Sequence, residues 1–446
     1  MKPTELVEPA KTVPVTAEFD VIVCGSGPAG VAAAIAAARS GASTCLIEAA
    51  GALGGIWTTG ALSFILDGEK KQGIICEILE RLDRYEARQQ YVCDVEAMKL
   101  VLDAMCAEAG VHVRLYTQVA AALKDADNRL AYVITESKSG REAWRASVFV
   151  DATGDGDLGA FAGNGFALGQ EETGHMQPMS LIALVTGVDP DCCEAYTVIA
   201  TASRNNLLAD IRKGGKEPSY ARPGLWHIRD DLYILMANHE YGGSGLNADD
   251  LSQATIRARR DITEVVDSLR RLGGIWSKLR LVATGAKIGV REGRRLSGRY
   301  EVTLQDMIDG KRHDDAVCRV AFKIDVHSLD AAKGKGIDYQ ITPYREQVKP
   351  YDIPLRALIA KDVDGLLMAG RCISGDFLAH SSYRVTGNAV VLGQAAGVLA
   401  GEAVKLGLLP HQVPWERVKE QMGRIDASAS ASTLSPASAA DGRIGG

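Results

Sequence analysis

Residues 21–30 read Val21-Ile22-Val23-Cys24-Gly25-Ser26-Gly27-Pro28-Ala29-Gly30, an apolar run that empties into a glycine-rich turn. An alanine-rich stretch follows, Val31 to Arg39, and then a second apolar run, Thr44-Cys45-Leu46-Ile47, that ends on Glu48. Strand, turn, helix, strand and acid, in that order, are the context in which G-x-G-x-x-G means a dinucleotide site. Gly25 permits the tight turn, Gly27 lets the backbone approach a pyrophosphate, and Gly30 allows the helix to pack closely on the strand. The helix N-terminus faces the phosphates with its partial positive charge. Glu48 stands at the tip of the second strand, where a carboxylate accepts both ribose hydroxyls and repels the 2′-phosphate of NADP. The chain is read as a dinucleotide binder.

Composition sets the outer limits. A chain of 446 residues is long for one simple core, so two lobes are expected. Its 46% apolar and 24% charged content are those of a soluble globular protein. A net charge of −6 with no Lys/Arg-rich run argues against nucleic acid. No apolar stretch is read as approaching the length of about 18 residues that a membrane span needs. The first 18 residues carry charges and prolines, without the apolar core of a signal peptide. Nine scattered cysteines suit a reducing cytoplasm, and the missing C-x-x-C removes the dithiol flavoenzymes. The eight dispersed histidines form no metal-binding spacing, and no G-x-S-x-G supplies a hydrolase nucleophile.

Periodicity divides the rest of the chain. Val95 to Ala109 is helical and stops at Gly110, and Val111 to Leu115 alternates as a strand. Strands near 129–135 and 142–150 read as a hairpin feeding back into the sheet. Extended runs at 181–186, 232–238 and 316–326, with an amphipathic helix over 249–272, mark a different region. A strand at 366–369 and an Ala/Gly-rich helix near 388–406 close the pattern. The expected fold is α/β, a Rossmann-like dinucleotide domain with an inserted mixed α+β substrate domain. The layout is a tail (1–17), the first part of the dinucleotide domain (18–165), an inserted cap (166–345), its return (346–410) and an extension (411–446). From 427 the Ala/Ser/Gly content predicts disorder.

A second glycine triplet, Gly154-Asp155-Gly156-Asp157-Leu158-Gly159, also follows a strand, but its aspartates place negative charge where a pyrophosphate would sit. The block Val148-Phe-Val-Asp-Ala-Thr-Gly154 resembles instead the A-T-G element late in flavoprotein FAD domains. Gly51-Ala-Leu-Gly54-Gly55-Ile56-Trp57 is similar to the double-glycine element of the glutathione-reductase-like FAD superfamily. Gly365 to Asp376 looks like that superfamily's last strand and loop. Within it, the FAD-dependent oxidoreductases show blocks similar to Asp151–Asp157, Gln177-Pro-Met-Ser180 and Arg291-Glu-Gly-Arg-Arg295. Their later blocks resemble Ile324-Asp-Val-His327, Tyr351-Asp-Ile-Pro-Leu-Arg356 and Ala379-His-Ser-Ser-Tyr-Arg-Val385. The resemblance spans residues 20 to about 405. It departs at Leu355, where an aromatic is common, and at Gly375-Asp376-Phe377 and Thr386-Gly387-Asn388.

The resemblance implies FAD and assigns its contacts. Gly25, Ser26, Gly27, Pro28, Ala29 and Gly30 would cradle the pyrophosphate, with Glu48 and Ala49 at the adenosine ribose. Gly54, Gly55 and Ile56 would run beside the diphosphate and ribityl chain, and Val119 would meet adenine through its backbone. Ala152 and Gly154 would pass close to the cofactor, and Asp376 would accept from a ribityl hydroxyl. The helix opening at Gly387, Asn388 and Ala389 would aim N–H groups at the flavin edge where reduction builds negative charge.

The isoalloxazine carries the electron pair, so the protein has to orient a substrate and manage a proton. Arg291, Arg294 and Arg295 crowd beside Glu292; such a cluster is either a solvated face or, at Arg291, a fork for a substrate anion. His327 has a side chain suited to proton transfer or to a structural role. His380 and Arg384 precede the flavin-facing helix and are candidates for the pocket. The main expectation is an FAD-dependent dehydrogenase or reductase moving a hydride between a small anionic substrate and flavin N5. A flavin monooxygenase using NAD(P)H transiently, and a non-redox protein on a flavin fold, are the alternatives. A cytoplasmic enzyme is expected, without metal or membrane span, and a homo-oligomer is left open.

Overall fold

The protein is seen in a computed structural model that describes residues 6, 8–197, 201–329 and 342–431. The strand Val15–Cys24 buries its last four side chains completely, turns at Gly25 (φ +93°), and hands over to the helix Pro28–Arg39. Pro28 opens that helix, where its missing N–H costs nothing and its φ is already helical. The strand Thr44–Ile47 returns parallel to the first, with Val21 opposite Thr44. His112–Arg114 adds a third parallel strand outside it.

The strand Gly140–Asp151 decides the sheet. Along one edge it runs parallel to Val15–Cys24. On the other edge its first half pairs antiparallel with Leu130–Ser137, and its last residues pair parallel with Leu366–Met368. Gln118–Lys124 completes a seven-stranded mixed sheet. Strands from both ends of the chain therefore meet on one strand, and Ala152 to Gly154 emerge beside the glycine-rich turn.

The helix Thr386–Leu406 packs along Pro28–Arg39 through a four-residue rhythm of glycines. A Cβ on Gly393 would stand 2.0 Å from the Ala29 oxygen, and one on Gly397 would stand 2.1 Å from the Ala33 oxygen. By length and composition this helix could cross a membrane, with a mean hydropathy of 1.4, contrary to the expectation that no stretch comes so long. It is 83% buried within the protein, which is why it is apolar on every face.

A second sheet is antiparallel, in the order Gly224–Arg229, Leu232–Met236, Ala183–Thr186, Arg280–Thr284. The helix Ala248–Leu272 lies against it, capped by the Asn247 side chain and stopped at Gly273 (φ +69°). Its Ile262, Val265, Val266 and Leu269 join Val185, Tyr233 and Leu235 in a core separate from that of the large sheet.

Two expectations shift. The strand expected over 316–326 forms only at Ala316–Val320, opposite Tyr351–Pro354. Beyond it the amides of Ala321 and Phe322 turn to the Asp67 carboxylate and that of Asp325 to the Ser381 hydroxyl, so the ladder ends. The helix Trp415–Ala431 runs past residue 427, where disorder was expected, since alanine favours helix as strongly as its low complexity suggests a tail. Residues 432–446 lie outside the described residues.

Candidate active site

The glycine turn is built as its residues require. A Cβ on Gly25 would press 2.4 Å from the Ala152 oxygen, and one on Gly30 would reach 1.8 Å from the Gly25 oxygen. A Cβ on Gly27 would meet nothing within 4 Å. The helix behind it has no side-chain cap, so its first N–H groups and dipole face that opening. Glu48 closes the far end. Its Oε2 accepts from the Ser26 amide and hydroxyl, both at 2.7 Å, and its Oε1 from the Ala50 amide at 2.8 Å. Two ribose hydroxyls were expected here; the less occupied Oε1 is the oxygen left to take one.

The surrounding segments converge on the turn. The Gly54 amide donates to the Ser26 oxygen at 2.8 Å, and a Cβ on Gly55 (φ +53°) would lie 2.9 Å from the Gly27 Cα. Ala49 is exposed, and Tyr116, half outside at 68% exposure, lays its ring against Gly51 just beyond Glu48. Val119 is buried and paired with Thr135 in the sheet. Gly370 abuts Ala29, and Arg371 crosses over Gly154 to meet Asp155 at 3.0 Å, with its Nη1 buried and unpartnered. Arg371 was not singled out from the sequence, although it stood inside the quoted Gly365–Asp376 block.

Two other expected groups have partners within the chain. Asp376 caps the helix Phe377–Tyr383, its Oδ1 accepting from the Ala379 amide at 2.7 Å and its Oδ2 from the Leu304 amide at 2.6 Å. The amide of Gly387 donates to the Leu66 oxygen at 2.8 Å and that of Ala389 to the Val385 oxygen at 3.1 Å. Asn388 differs: it is fully buried and its Nδ2 has no acceptor.

Ile56 links this cradle to a buried cluster of charge, because its side chain lies under Gly289, whose backbone pairs with Ser180. Arg291 Nη1 donates to the Pro178 oxygen at 2.6 Å and the Ser180 hydroxyl at 2.9 Å, while Nη2 meets the Met236 sulfur at 4.0 Å. Arg384 donates to the Arg291 oxygen at 2.7 Å, the Asp325 oxygen at 2.8 Å and Gln177 Oε1 at 3.1 Å. His327 sits between them. Its amide donates to the same Gln177 oxygen, its Nε2 lies 3.4 Å from Asp325 Oδ2, and its Nδ1 is buried without a partner. Arg295 pairs with Glu292 at 2.8 Å in full burial, and Arg294 turns out to Asp157 at 2.8 Å.

Burial works against charge throughout the cluster. It pushes His327 down to about 4, with Arg291 adding to the effect, so the imidazole is neutral. His239 and His380 are held well below the ordinary range, by burial first and then by Arg291 and Arg384 respectively. For Asp325 burial would favour the protonated form, yet the hydrogen bond from His327 and the charges of Arg384 and Arg291 win and hold it ionised. His380 is completely buried with both ring nitrogens unpartnered, edge-on to Tyr383. Gln177, Asp325, His239, Tyr220 and Tyr241 were not picked out beforehand. Gln177 and Asp325 stood inside the quoted blocks, and the i, i+2 spacing of Asp325 and His327 was a further signal; nothing in the sequence ties His239 to them, although its ring stands 4.8 Å from that of His327.

Residues 20–422 match the family described as FAD dependent oxidoreductase. The chain belongs to that family. No curated protein matches it. Among solved structures, a geranylgeranyl bacteriochlorophyll reductase-like protein from Thermoplasma acidophilum is 13% identical, covering 93% of this chain and 84% of that one, at a TM-score of 0.44. A myxobacterial chondrochloren halogenase is 14% identical over 91% and 78%, at 0.45. An aromatic hydroxylase from angucycline biosynthesis is 12% identical over 93% and 67%, at 0.47.

FAD fits what the fold provides. The space over Gly27, the uncapped helix N-terminus and the buried unpartnered Arg371 Nη1 suit a pyrophosphate. Glu48 Oε1 suits a ribose hydroxyl, and Asn388 Nδ2 is a buried donor with an acceptor still to meet.

Proposed function

We propose that this FAD-dependent oxidoreductase transfers a hydride between a small organic substrate and the flavin while His327 handles the accompanying proton. The observation that carries this reading is the His327–Asp325 pair. Asp325 stays ionised and engages Nε2, which places the ring hydrogen there and leaves a lone pair on the unpartnered Nδ1. A neutral, desolvated imidazole oriented by a carboxylate is the arrangement of a general base. Gln177 holds the His327 backbone, and Arg384 ties Gln177, Asp325 and the Arg291 carbonyl into one frame. When bound, FAD supplies the two-electron acceptor or donor. The chain's own work is to exclude water, orient the substrate and move the proton at Nδ1.

A second reading is a flavin monooxygenase drawing on NAD(P)H only in passing, in line with the names of the halogenase and the hydroxylase above. In this chain it is supported by the closed second glycine turn, where Arg371 covers Gly154 and Leu296 covers Gly159. That turn is occupied by the chain's own side chains, consistent with a nicotinamide that visits rather than stays. Anaerobic mixing with a panel of alcohols, amines and hydroxy acids separates the two: direct bleaching of the flavin supports hydride transfer. Bleaching only with NAD(P)H, and product formation only in oxygen, would overturn it in favour of the second. With a bleaching substrate in hand, His327→Gln should slow flavin reduction by roughly 10²–10⁴-fold with the flavin spectrum intact.

A further inference from the structure

We infer that the buried cluster holds a binding site for a monocarboxylate with an apolar body, received at Arg291 and entered from the cavity beside His239 and Tyr241. The inference deepens the proposed function by naming the substrate class.

Three buried or half-buried guanidiniums, Arg291, Arg295 and Arg384, share two carboxylates. Glu292 belongs to Arg295 at 2.8 Å, and Asp325 lies 3.9 Å from Arg384. Among the described residues no carboxylate comes within ion-pair distance of Arg291. The three neighbouring histidines are neutral, so they add nothing to either side. One positive charge is left over in a desolvated site, which is costly until an anion joins it.

The geometry says where the anion would sit. Nη1 of Arg291 is committed to Pro178 and Ser180, whereas Nη2 points at the Met236 thioether, an acceptor far weaker than a carboxylate. Tyr220 stacks on His239 with ring centroids 4.0 Å apart, so apolar faces border the same spot. A cavity of about 790 Å³, lined among others by His239, Tyr241 and Ser219, lies on the other side of His239 and would be the way in. The Ser180 hydroxyl that Arg291 holds donates to the Asn238 oxygen, one residue from His239, so the cavity wall and the guanidinium are neighbours. Within that cavity Lys216 is paired with Asp261 and Glu264 and Arg257 with Glu240, so these bases are already neutralised, unlike Arg291.

The test is ligand binding to the holoenzyme, read without turnover. Benzoate is titrated into the yellow protein and followed by thermal midpoint and flavin difference spectrum, with benzamide as the neutral isostere. Benzoate should raise the midpoint to saturation and benzamide should not. Arg291→Lys keeps the charge and loses the planar fork, and should weaken benzoate at least tenfold with the flavin spectrum unchanged. Arg291→Gln should abolish the effect. Equal binding of benzamide, no benzoate binding to wild type, or unchanged benzoate binding in Arg291→Lys would each overturn the site. A protein that binds no benzoate but needs His327 for bleaching loses only the anion site; one that binds benzoate but bleaches normally as His327→Gln loses only the proton reading.

Discussion

The buried neutral imidazole of His327 should make the protein acid-labile in a way that a single substitution exposes. Burial, reinforced by Arg291, lowers this group from 6.5 to about 4. Above pH 6.5 the ring is neutral in the folded and unfolded chain alike. Below it the unfolded chain binds a proton that the native state refuses, so stability present at neutral pH is lost as the pH falls toward 4. At about 1.4 kcal/mol per unit, that window is worth about 3 kcal/mol. His239 and His380 act with the same sign. Asp151 acts against them: burial raises it from 3.8 to about 6, so its contribution is present at low pH and lost as the pH rises through 6. The whole-protein curve mixes these groups, and a difference isolates one. Urea unfolding of wild type and His327→Gln, followed by far-ultraviolet circular dichroism between about pH 7.5 and 4.5, should give two curves whose gap narrows on acidification. The narrowing should be about 1.4 kcal/mol per unit below pH 6.5. Parallel curves would refute the claim that His327 is buried neutral.

Glu48→Gln should weaken FAD, because a hydrogen bond to a charged acceptor is worth about 1.5–3 kcal/mol, or roughly ten- to a hundred-fold in Kd. Fluorescence of FAD released on dilution measures it, and undiminished retention would remove Glu48 from the site. Gly397→Leu should be severely destabilising, since even its Cβ would lie 2.1 Å from the Ala33 oxygen and the two helices would have to part. A drop in Tm is expected, and an unchanged Tm would mean that this helix contact is misplaced.

The parts of the molecule that local chemistry determines were legible. Gly25, Gly27, Gly30 and Glu48 occupy one strand–turn–helix–strand unit, and each does there what its residue type allows. The strand Gly140–Asp151 was found, but not that it pairs antiparallel and parallel in succession on one edge, which depends on where Leu366–Met368 arrives. The strand Arg280–Thr284 was missed because its side chains are partly exposed and its partner, Ala183–Thr186, is distant in sequence; Gly224–Arg229 was missed although it is largely buried and forms a hairpin with the neighbouring Leu232–Met236. Arg384 was read as a pocket residue. Its donors go to the carbonyls of Arg291 and Asp325, main-chain atoms that carry no sequence signal. Asp376, expected at a ribityl hydroxyl, caps a helix, a role an aspartate before a helix fills on purely local grounds and one that was not read from the sequence.

What the sequence blocks share is a frame rather than a list of contacts. Glu292 accepts from the Gln177 amide with one oxygen and holds Arg295 with the other. Gln177 in turn accepts from the His327 amide and from Arg384 with its side-chain oxygen. Arg384 closes the circuit onto Arg291 and Asp325. Residues near 177, 292, 325 and 384 are thus joined by hydrogen bonds in which most polar groups are satisfied and few are left over. Left over among the described residues here are His327 Nδ1, Gln177 Nε2, His239 Nε2 and both ring nitrogens of His380, all buried and unpartnered. In a network otherwise so complete, unpaired groups are costly to keep. Two of these rings, His239 and His327, stand 4.8 Å apart, where the proposed substrate would supply the missing partners.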